Sequence, residues 1–159
     1  MALLFLIFMN RAYKLFDEVY ILALLRRKLP SHYPDFPRVQ SVEIISHKKN
    51  VWTTTYHVVV EYLTTLANDQ GGTIVLPIFC AAHSSENREN FFLGLDFLWR
   101  HGFAGGHLSI PHPLFFSSYL NGVFYRGVEG YNLHHYLYLQ DKPKIEEIVA
   151  LAAQWFARL

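Results

Sequence analysis

GVFYRGVEGYNLHHYL, residues 122–137, is the stretch that decides the fold. It begins at Asn121-Gly122, a dipeptide in which both residues tolerate positive φ, and this predicts a hairpin turn. The run from 123 to 128 mixes aromatic and β-branched residues, which favours a strand. Glu129-Gly130 predicts a bend, and Asn132 is the expected N-cap of a helix because apolar residues at helical spacing follow it. A hairpin strand should therefore run through a glycine-containing corner into a helix.

The rest of the chain alternates helical and strand-like patterns. Three prolines between residues 30 and 37 should end the leading helix, and three strand-like runs separated by polar turns predict an antiparallel meander. Pro77, inside the third run, favours an edge position or a bulge. The predicted elements are a helix at 10–29, strands at 39–46, 51–66 and 73–80, a helix at 84–101 capped by Ser84, strands at 115–120 and 123–128, and a helix at 144–159, with turns at 47–50 and 68–72. This order predicts an α+β fold with a five-stranded antiparallel sheet, one packed helix, a leading helix and trailing linker helices.

Composition and charge narrow the classes of function. The 159 residues are 52% hydrophobic and 16% aromatic, which predicts apolar surface beyond the core. The net charge is +1 and no basic patch is interleaved with aromatic residues, so nucleic acid is not an expected partner. The single cysteine, Cys80, lies in an apolar run; we expect a buried structural thiol and a reducing, cytoplasmic compartment.

The N-terminal apolar run ALLFLIFM, residues 2–9, is far shorter than the roughly 20 residues that span a bilayer. No positive residue precedes it and no small-residue cleavage site follows, so it fits a signal peptide poorly. A mis-assigned start or a short buried helix end is the simplest interpretation, and a membrane is not an expected partner.

Four local motifs carry a resemblance to a known family. They are ENRENFFLGLDFLWRHGF at 86–103, IPHPL at 110–114, the corner V-E-G-Y-N-L at 128–133, and PKIEEIVALAAQWFARL at 143–159. Together with the order of elements, they resemble the N-terminal lobe of the aminoglycoside phosphotransferase and choline kinase relatives, which have a protein-kinase-like fold. The resemblance implies an N-terminal helix at 1–29, a kinase-like N-lobe at 30–128, and a hinge with the first C-lobe helices at 129–159.

The resemblance also implies a function, transfer of the γ-phosphate of ATP, with Mg, to a small-molecule hydroxyl. On this sequence, Gly127 and Val128 would offer hinge backbone groups to adenine. Lys48, Lys49 and Asn50 would lie over the phosphates, and Glu89 would be the acidic residue of the helix. The family's catalytic and metal-binding residues and its acceptor site belong to the C-lobe, so we expect this chain by itself to be inactive.

Two departures from the family pattern predict weak nucleotide binding. The segment between the first two predicted strands, residues 46–50, has no glycine. The third strand reads LPI at 76–78, where the family has a lysine that contacts the nucleotide phosphates. In the helix that follows, Arg88 is expected to be a solvated residue.

Other interpretations remain open. A non-catalytic α+β binding or interaction domain that has lost the nucleotide is the main alternative, and a membrane-peripheral protein anchored by residues 2–9 is a third. The histidines of the second half do not have converging metal-ligand spacing, so no metal site is predicted. The apolar side chains of the last helix, Leu151, Trp155, Phe156 and Leu159, predict self-association through it.

Overall fold

The leading helical region is broken in two. The structure, a computed structural model, describes residues 10–106, 108–128, 130–131 and 133–159. A 3₁₀ helix, Arg11–Phe16, precedes α1, Glu18–Lys28, so the predicted continuous helix at 10–29 is wrong. Asp17 separates them with extended backbone, because its carboxylate accepts a hydrogen bond from the Tyr20 N–H at 3.0 Å and caps α1. Asn10 caps the 3₁₀ helix, as expected for an N-terminal cap.

Five antiparallel strands form one sheet, as the sequence predicted. The spatial order is β1-β2-β3-β5-β4, with β3 at the centre. The strands are β1 (Arg38–Val51), β2 (Tyr56–Ala67), β3 (Thr73–His83), β4 (Pro113–Ser117) and β5 (Gly122–Arg126). The meander and the final hairpin are therefore confirmed, with β5 returning to pair beside β3.

The first turn is not where the sequence placed it. Residues 47–50 belong to β1, and the chain reverses at residues 52–55, closed by a hydrogen bond from the Trp52 N–H to the Thr55 carbonyl at 2.9 Å. The pairing register shifts between Ser46 and Lys48, so the polar segment forms a β-bulge at His47 rather than a turn. A bulge absorbs an extra residue while the ladder continues on both sides.

Pro77 lies in the central strand and its pairing register with β2 is unbroken, so neither the expected edge position nor the expected bulge is found. On the side that faces β5, however, the strand pairing does not reach Pro77. β5 pairs with β3 only from Ile78 to Ala82. Beyond β5, the Gly127 N–H donates to the Pro77 carbonyl at 2.7 Å. The proline ring therefore lies where the β5 pairing ends, and its missing N–H interrupts no ladder.

The remaining helices differ from prediction at their ends. α2 spans Arg88–Leu98 and is capped by Asn87, not Ser84, and a short π-helical turn at Trp99–Phe103 follows it. α3 spans Leu133–Leu139, and α4 spans Lys142–Phe156 with Asp141 as its cap. The corner residue Glu129 and the expected cap Asn132 lie outside the described residues.

The core lies between α1 and one face of the sheet. Even-numbered residues of β2 and β3 point into it, including Tyr56, Val58, Val60, Tyr62, Ile78 and Cys80. The Tyr62 hydroxyl donates to the Leu15 carbonyl at 2.9 Å, which ties the 3₁₀ helix to the sheet. Cys80 is fully buried, as predicted, and burial raises the pKa of its thiol, which makes it a poor nucleophile.

Candidate functional site

The sheet face opposite α1, called the open face below, is only partly covered. It carries the odd-numbered residues of β2 and β3 and their neighbours, among them Val59, Glu61, Phe79 and Tyr125, all half-buried. All six site residues predicted from the sequence can be located in the structure, which distributes them between this face, its edges and the opposite side.

Lys48 and Asn50 lie on the open face, but Lys49 does not. Lys48 pairs with Val59 and Asn50 pairs with His57, whereas Lys49 pairs with Val58, a core residue. The Lys49 ammonium lies 4.3 Å from the centre of the ring of Phe16, the last residue of the 3₁₀ helix. Because strand side chains alternate between faces, the strand conformation itself separates the two lysines.

Gly127 and Val128 line an open cleft of about 630 Å³ at the end of β5. On its far wall the rings of Trp99 and His112 stack with 4.3 Å between centres. Burial, and then the positive charge of other groups nearby, lowers the pKa of His112. The full lining is Pro77, Trp99, Ala104, Ser109, Ile110, His112, Arg126, Gly127 and Val128. The cleft therefore combines backbone groups, a flat aromatic wall and one guanidinium.

The predicted phosphate end and the predicted hinge lie at opposite ends of the sheet. Gly127 bonds Pro77, which pairs with Leu63 on β2, whereas Lys48 pairs with Val59 on β2. The four residues from Val59 to Leu63 along β2, together with the three strand spacings from β1 to β5, separate Lys48 from Gly127 by roughly 20 Å. The structure does not bring these two groups into contact.

The acidic helix residue Glu89 is exposed in the first turn of α2, while its neighbour Arg88 is not. The Arg88 side chain is only 14% exposed, so the expected solvated arginine is wrong. Its guanidinium bonds the Glu86 carboxylate at 2.8 Å, and its Nε–H is buried without an acceptor among the described residues. Helical spacing alone could not reveal this, because it does not show that α2 packs against β4 and β5.

The centre of the open face holds a row of rings that sequence reasoning missed. The Phe79 ring stacks between the rings of His47 and Tyr125. Its centre is 5.4 Å from the centre of the His47 ring and 5.8 Å from that of the Tyr125 ring. Between the strands, the His47 Nε2 and a Glu61 carboxylate oxygen are 2.7 Å apart. The signal was available, since alternation from the buried Ile78 and Cys80 places Phe79 on the other face.

The described part of the chain contains neither a metal-binding cluster nor a helix that could span a membrane. No group of three His, Cys, Asp or Glu residues there could hold a metal ion. Across the same residues, every helix is too short or too polar to cross a bilayer. Comparison with known proteins found no matching family model, curated protein or solved structure.

Proposed function

We propose that this chain is the nucleotide-binding-type lobe of an ATP-dependent, aminoglycoside phosphotransferase-like enzyme that acts on a small-molecule hydroxyl. The observation that carries the proposal is the course of the chain around β5. After a meander and a helix, β5 returns beside the central strand β3 and leads into Gly127 and Val128 at the mouth of a cleft. The resemblance assigns a hinge to the residues that follow this strand, and the course of the chain supports that proposal.

The backbone at this hinge has groups to offer a base. The Gly127 N–H donates to the Pro77 carbonyl. The Gly127 carbonyl and the Val128 N–H have no backbone partner among the described residues, and they are the proposed partners of adenine. Val128 as a whole residue is 71% exposed, which supports access to it from solvent. The Trp99 ring offers an apolar surface in the same cleft.

The proposed phosphate end is weaker. It keeps Lys48 and Asn50 on the open face, whereas Lys49 lies on the other side and Glu89 is exposed on α2. β3 presents Phe79 and Ala81 to the open face and no lysine. ATP and Mg are therefore proposed as weakly bound cofactors, and turnover is not expected because the 159 residues contain no H-x-D-x-x-x-x-N run.

A non-catalytic binding or interaction domain is the second candidate. The observation that favours it is the ring row of His47, Phe79 and Tyr125, which fills the middle of the open face with packed side chains. A face filled in this way has less room for a nucleotide and more apolar area for a partner.

We expect calorimetric titration of the chain with MgATP to give a Kd of about 1 mM, or roughly 4 kcal/mol of binding free energy. Val128→Pro removes the proposed N–H donor and should weaken binding about tenfold. Val128→Ala keeps the donor and is the matched control. Salt at 0.5 M should weaken binding further, because exposed charges are screened over ~8–10 Å at ordinary ionic strength.

Two outcomes would contradict this prediction in different ways. Micromolar affinity that is unchanged at 0.5 M salt would mean that a buried charge, not Lys48, holds the phosphates. Absence of binding to both MgATP and adenosine at millimolar concentration would favour the non-catalytic domain.

Self-association through the last helix is a further part of the proposal. Trp155 is partly covered by Phe103, with 5.7 Å between ring centres, whereas Phe156 is 70% exposed. Phe156→Glu should therefore shift the population toward monomer in light scattering over a range of concentrations. Gln154→Glu adds the same charge at an exposed neighbouring position and should not. A wild-type chain that stays monomeric at high concentration would contradict self-association.

A further inference from the structure

We propose that Arg88, His57, His83 and Lys48 form a binding site for a polyphosphate group at one end of the open face. This deepens the proposed function, on which it rests only for the idea that the polyphosphate belongs to a nucleotide. The four side chains come from four elements, α2, β2, β3 and β1, and none of the first three was a predicted site residue.

The geometry of the cluster is set by strand pairing. His57 and His83 are cross-strand partners, and their rings meet edge to face with 4.9 Å between centres. Asn50, the partner of His57 on β1, adds an amide at the same level. Lys48 lies on the same face of β1 as Asn50 and pairs with Val59, two residues from His57. The Glu86 carboxylate is 2.8 Å from the Arg88 guanidinium and 3.6 Å from the His83 Nε2, so Arg88 lies beside His83. Two permanent cations and two titratable rings thus share one corner of the sheet.

The loop that delivers Arg88 is held in place. The Asn121 side-chain amide donates to the carbonyls of His83 and Glu86, at 2.5 and 2.8 Å. The Tyr56 N–H donates to the Ser84 hydroxyl at 3.1 Å, and the Ser84 N–H donates back to the Tyr56 carbonyl at 3.0 Å. The site is therefore built before a ligand arrives, which lowers the cost of binding.

The protein does not use up the hydrogen-bonding capacity of Arg88. The Nε–H is buried without an acceptor in the part of the chain that the structure describes. One terminal nitrogen bonds the Glu86 carboxylate, which also contacts the His83 ring and belongs to a side chain that is 54% exposed. The planar fork of a guanidinium matches the oxygens of a phosphate, so a bound polyphosphate would replace an exposed carboxylate as its partner.

His57 makes the site sensitive to pH. Burial lowers the pKa of His57, as do the charges of Lys48, His83 and Arg88, while Glu86 acts in the opposite direction. The empty site therefore holds His57 neutral at pH 7. An anion favours the imidazolium form, so the contribution of His57 to binding is linked to proton uptake and grows as the pH falls.

The test is calorimetric titration of the whole chain with inorganic tripolyphosphate, ATP and adenosine, all without metal. We expect tripolyphosphate to bind at pH 7, and the affinity of the wild-type chain to rise relative to that of His57→Gln as the pH falls to about 5.5. The ratio of the two affinities cancels the protonation of tripolyphosphate itself, which lowers the charge of the ligand near about pH 6. Arg88→Gln should lose about tenfold or more in affinity and Lys48→Gln about threefold, in line with charge-assisted contacts. Lys142→Gln, an exposed lysine at the start of α4, removes the same charge and should lose nothing.

The second readout does not depend on whether Arg88→Gln folds. The ring-proton shifts of His57, assigned from a His57→Gln variant, should report a raised pKa when tripolyphosphate is added to the wild-type chain. Unchanged histidine titration, or tripolyphosphate binding that is equal in wild type, Lys48→Gln and Lys142→Gln, would overturn the site.

The three ligands separate this inference from the proposed function. Equal affinity for ATP and tripolyphosphate, with no adenosine binding, supports the polyphosphate site and contradicts the adenine hinge. Tighter binding of ATP than of tripolyphosphate supports both. Adenosine or ATP binding without any tripolyphosphate binding overturns the site and leaves the hinge standing, and no binding of any ligand overturns both.

Discussion

Phe124→Ala is expected to lower the free energy of unfolding by about 3–5 kcal/mol, the range for removing a buried aromatic ring. Phe124 is fully buried in β5, and its ring stacks with Phe115 at 4.3 Å and with Tyr62 at 6.1 Å between centres. These neighbours come from β4 and β2, so a cavity there weakens contacts across most of the sheet. Chemical denaturation followed by circular dichroism measures the change, provided that the transition is two-state.

Phe116→Ala is the matched control. Phe116 is an aromatic residue on the same hairpin, pairs with Val123, and is only half-buried. Its loss should cost clearly less, because much of its surface already meets water in the folded state. Equal losses in the two variants would mean that the core does not lie where the structure places it.

Gly127→Ala is expected to cost about 1–3 kcal/mol of stability, the usual penalty for overpacking. A Cβ at this position would lie 2.6 Å from Cε2 of Phe79 and 3.3 Å from Cβ of Pro77. The Phe79 ring is held between His47 and Tyr125, so it cannot move aside without breaking the row. The glycine is therefore required by the close approach of a ring.

A double-mutant cycle tests that reason. Phe79→Ala removes the ring that the new methyl group would strike, so Gly127→Ala should be nearly neutral in that background. Gly94→Ala is the control, because Gly94 is on the exposed side of α2 with no atom near its Cβ position. We expect that variant to be as stable as wild type or about 0.5–1 kcal/mol more stable. Additive losses from the 127 and 79 substitutions would contradict the contact.

If Gly127→Ala also weakens MgATP binding while Gly94→Ala does not, the position of the hinge is part of the proposed site. Retained affinity in a destabilised Gly127→Ala variant would separate packing from binding. Denaturation and calorimetry on the same protein samples distinguish these results.

Local patterns were sufficient to predict the elements and their pairing. Strand-favouring residue types and the polar turns between them predicted the meander of β1, β2 and β3, and Asn121-Gly122 predicted the hairpin before β5. Asn121 does adopt positive φ, at 40°, whereas Gly122 already belongs to the strand. These features depend on residues that are neighbours in the chain and on which side of a strand is apolar. Both can be recognised from the sequence.

The ends of the helices and strands depended on competition between local propensity and hydrogen bonds to the backbone, which a sequence pattern does not reveal. The polar residues 47–50 look like a turn, yet pairing with β2 continues through them and the bulge at His47 absorbs the mismatch. The leading helix looks continuous, yet the Asp17 side chain competes for the backbone and starts a second helix. In each case hydrogen bonds to the backbone outweighed local propensity.

The candidate site was decided mostly by tertiary structure. The sequence alone determined an α+β chain with a strand that leads through Gly127 and Val128 toward helices, and with no lysine on its third strand. Only the fold separated Lys48 from Lys49, buried Arg88 beside the two histidines, and laid Phe79 over Gly127. The physical reason is that secondary structure follows the residues nearest in the chain, whereas charge clusters and close contacts arise between strands and helices distant in sequence.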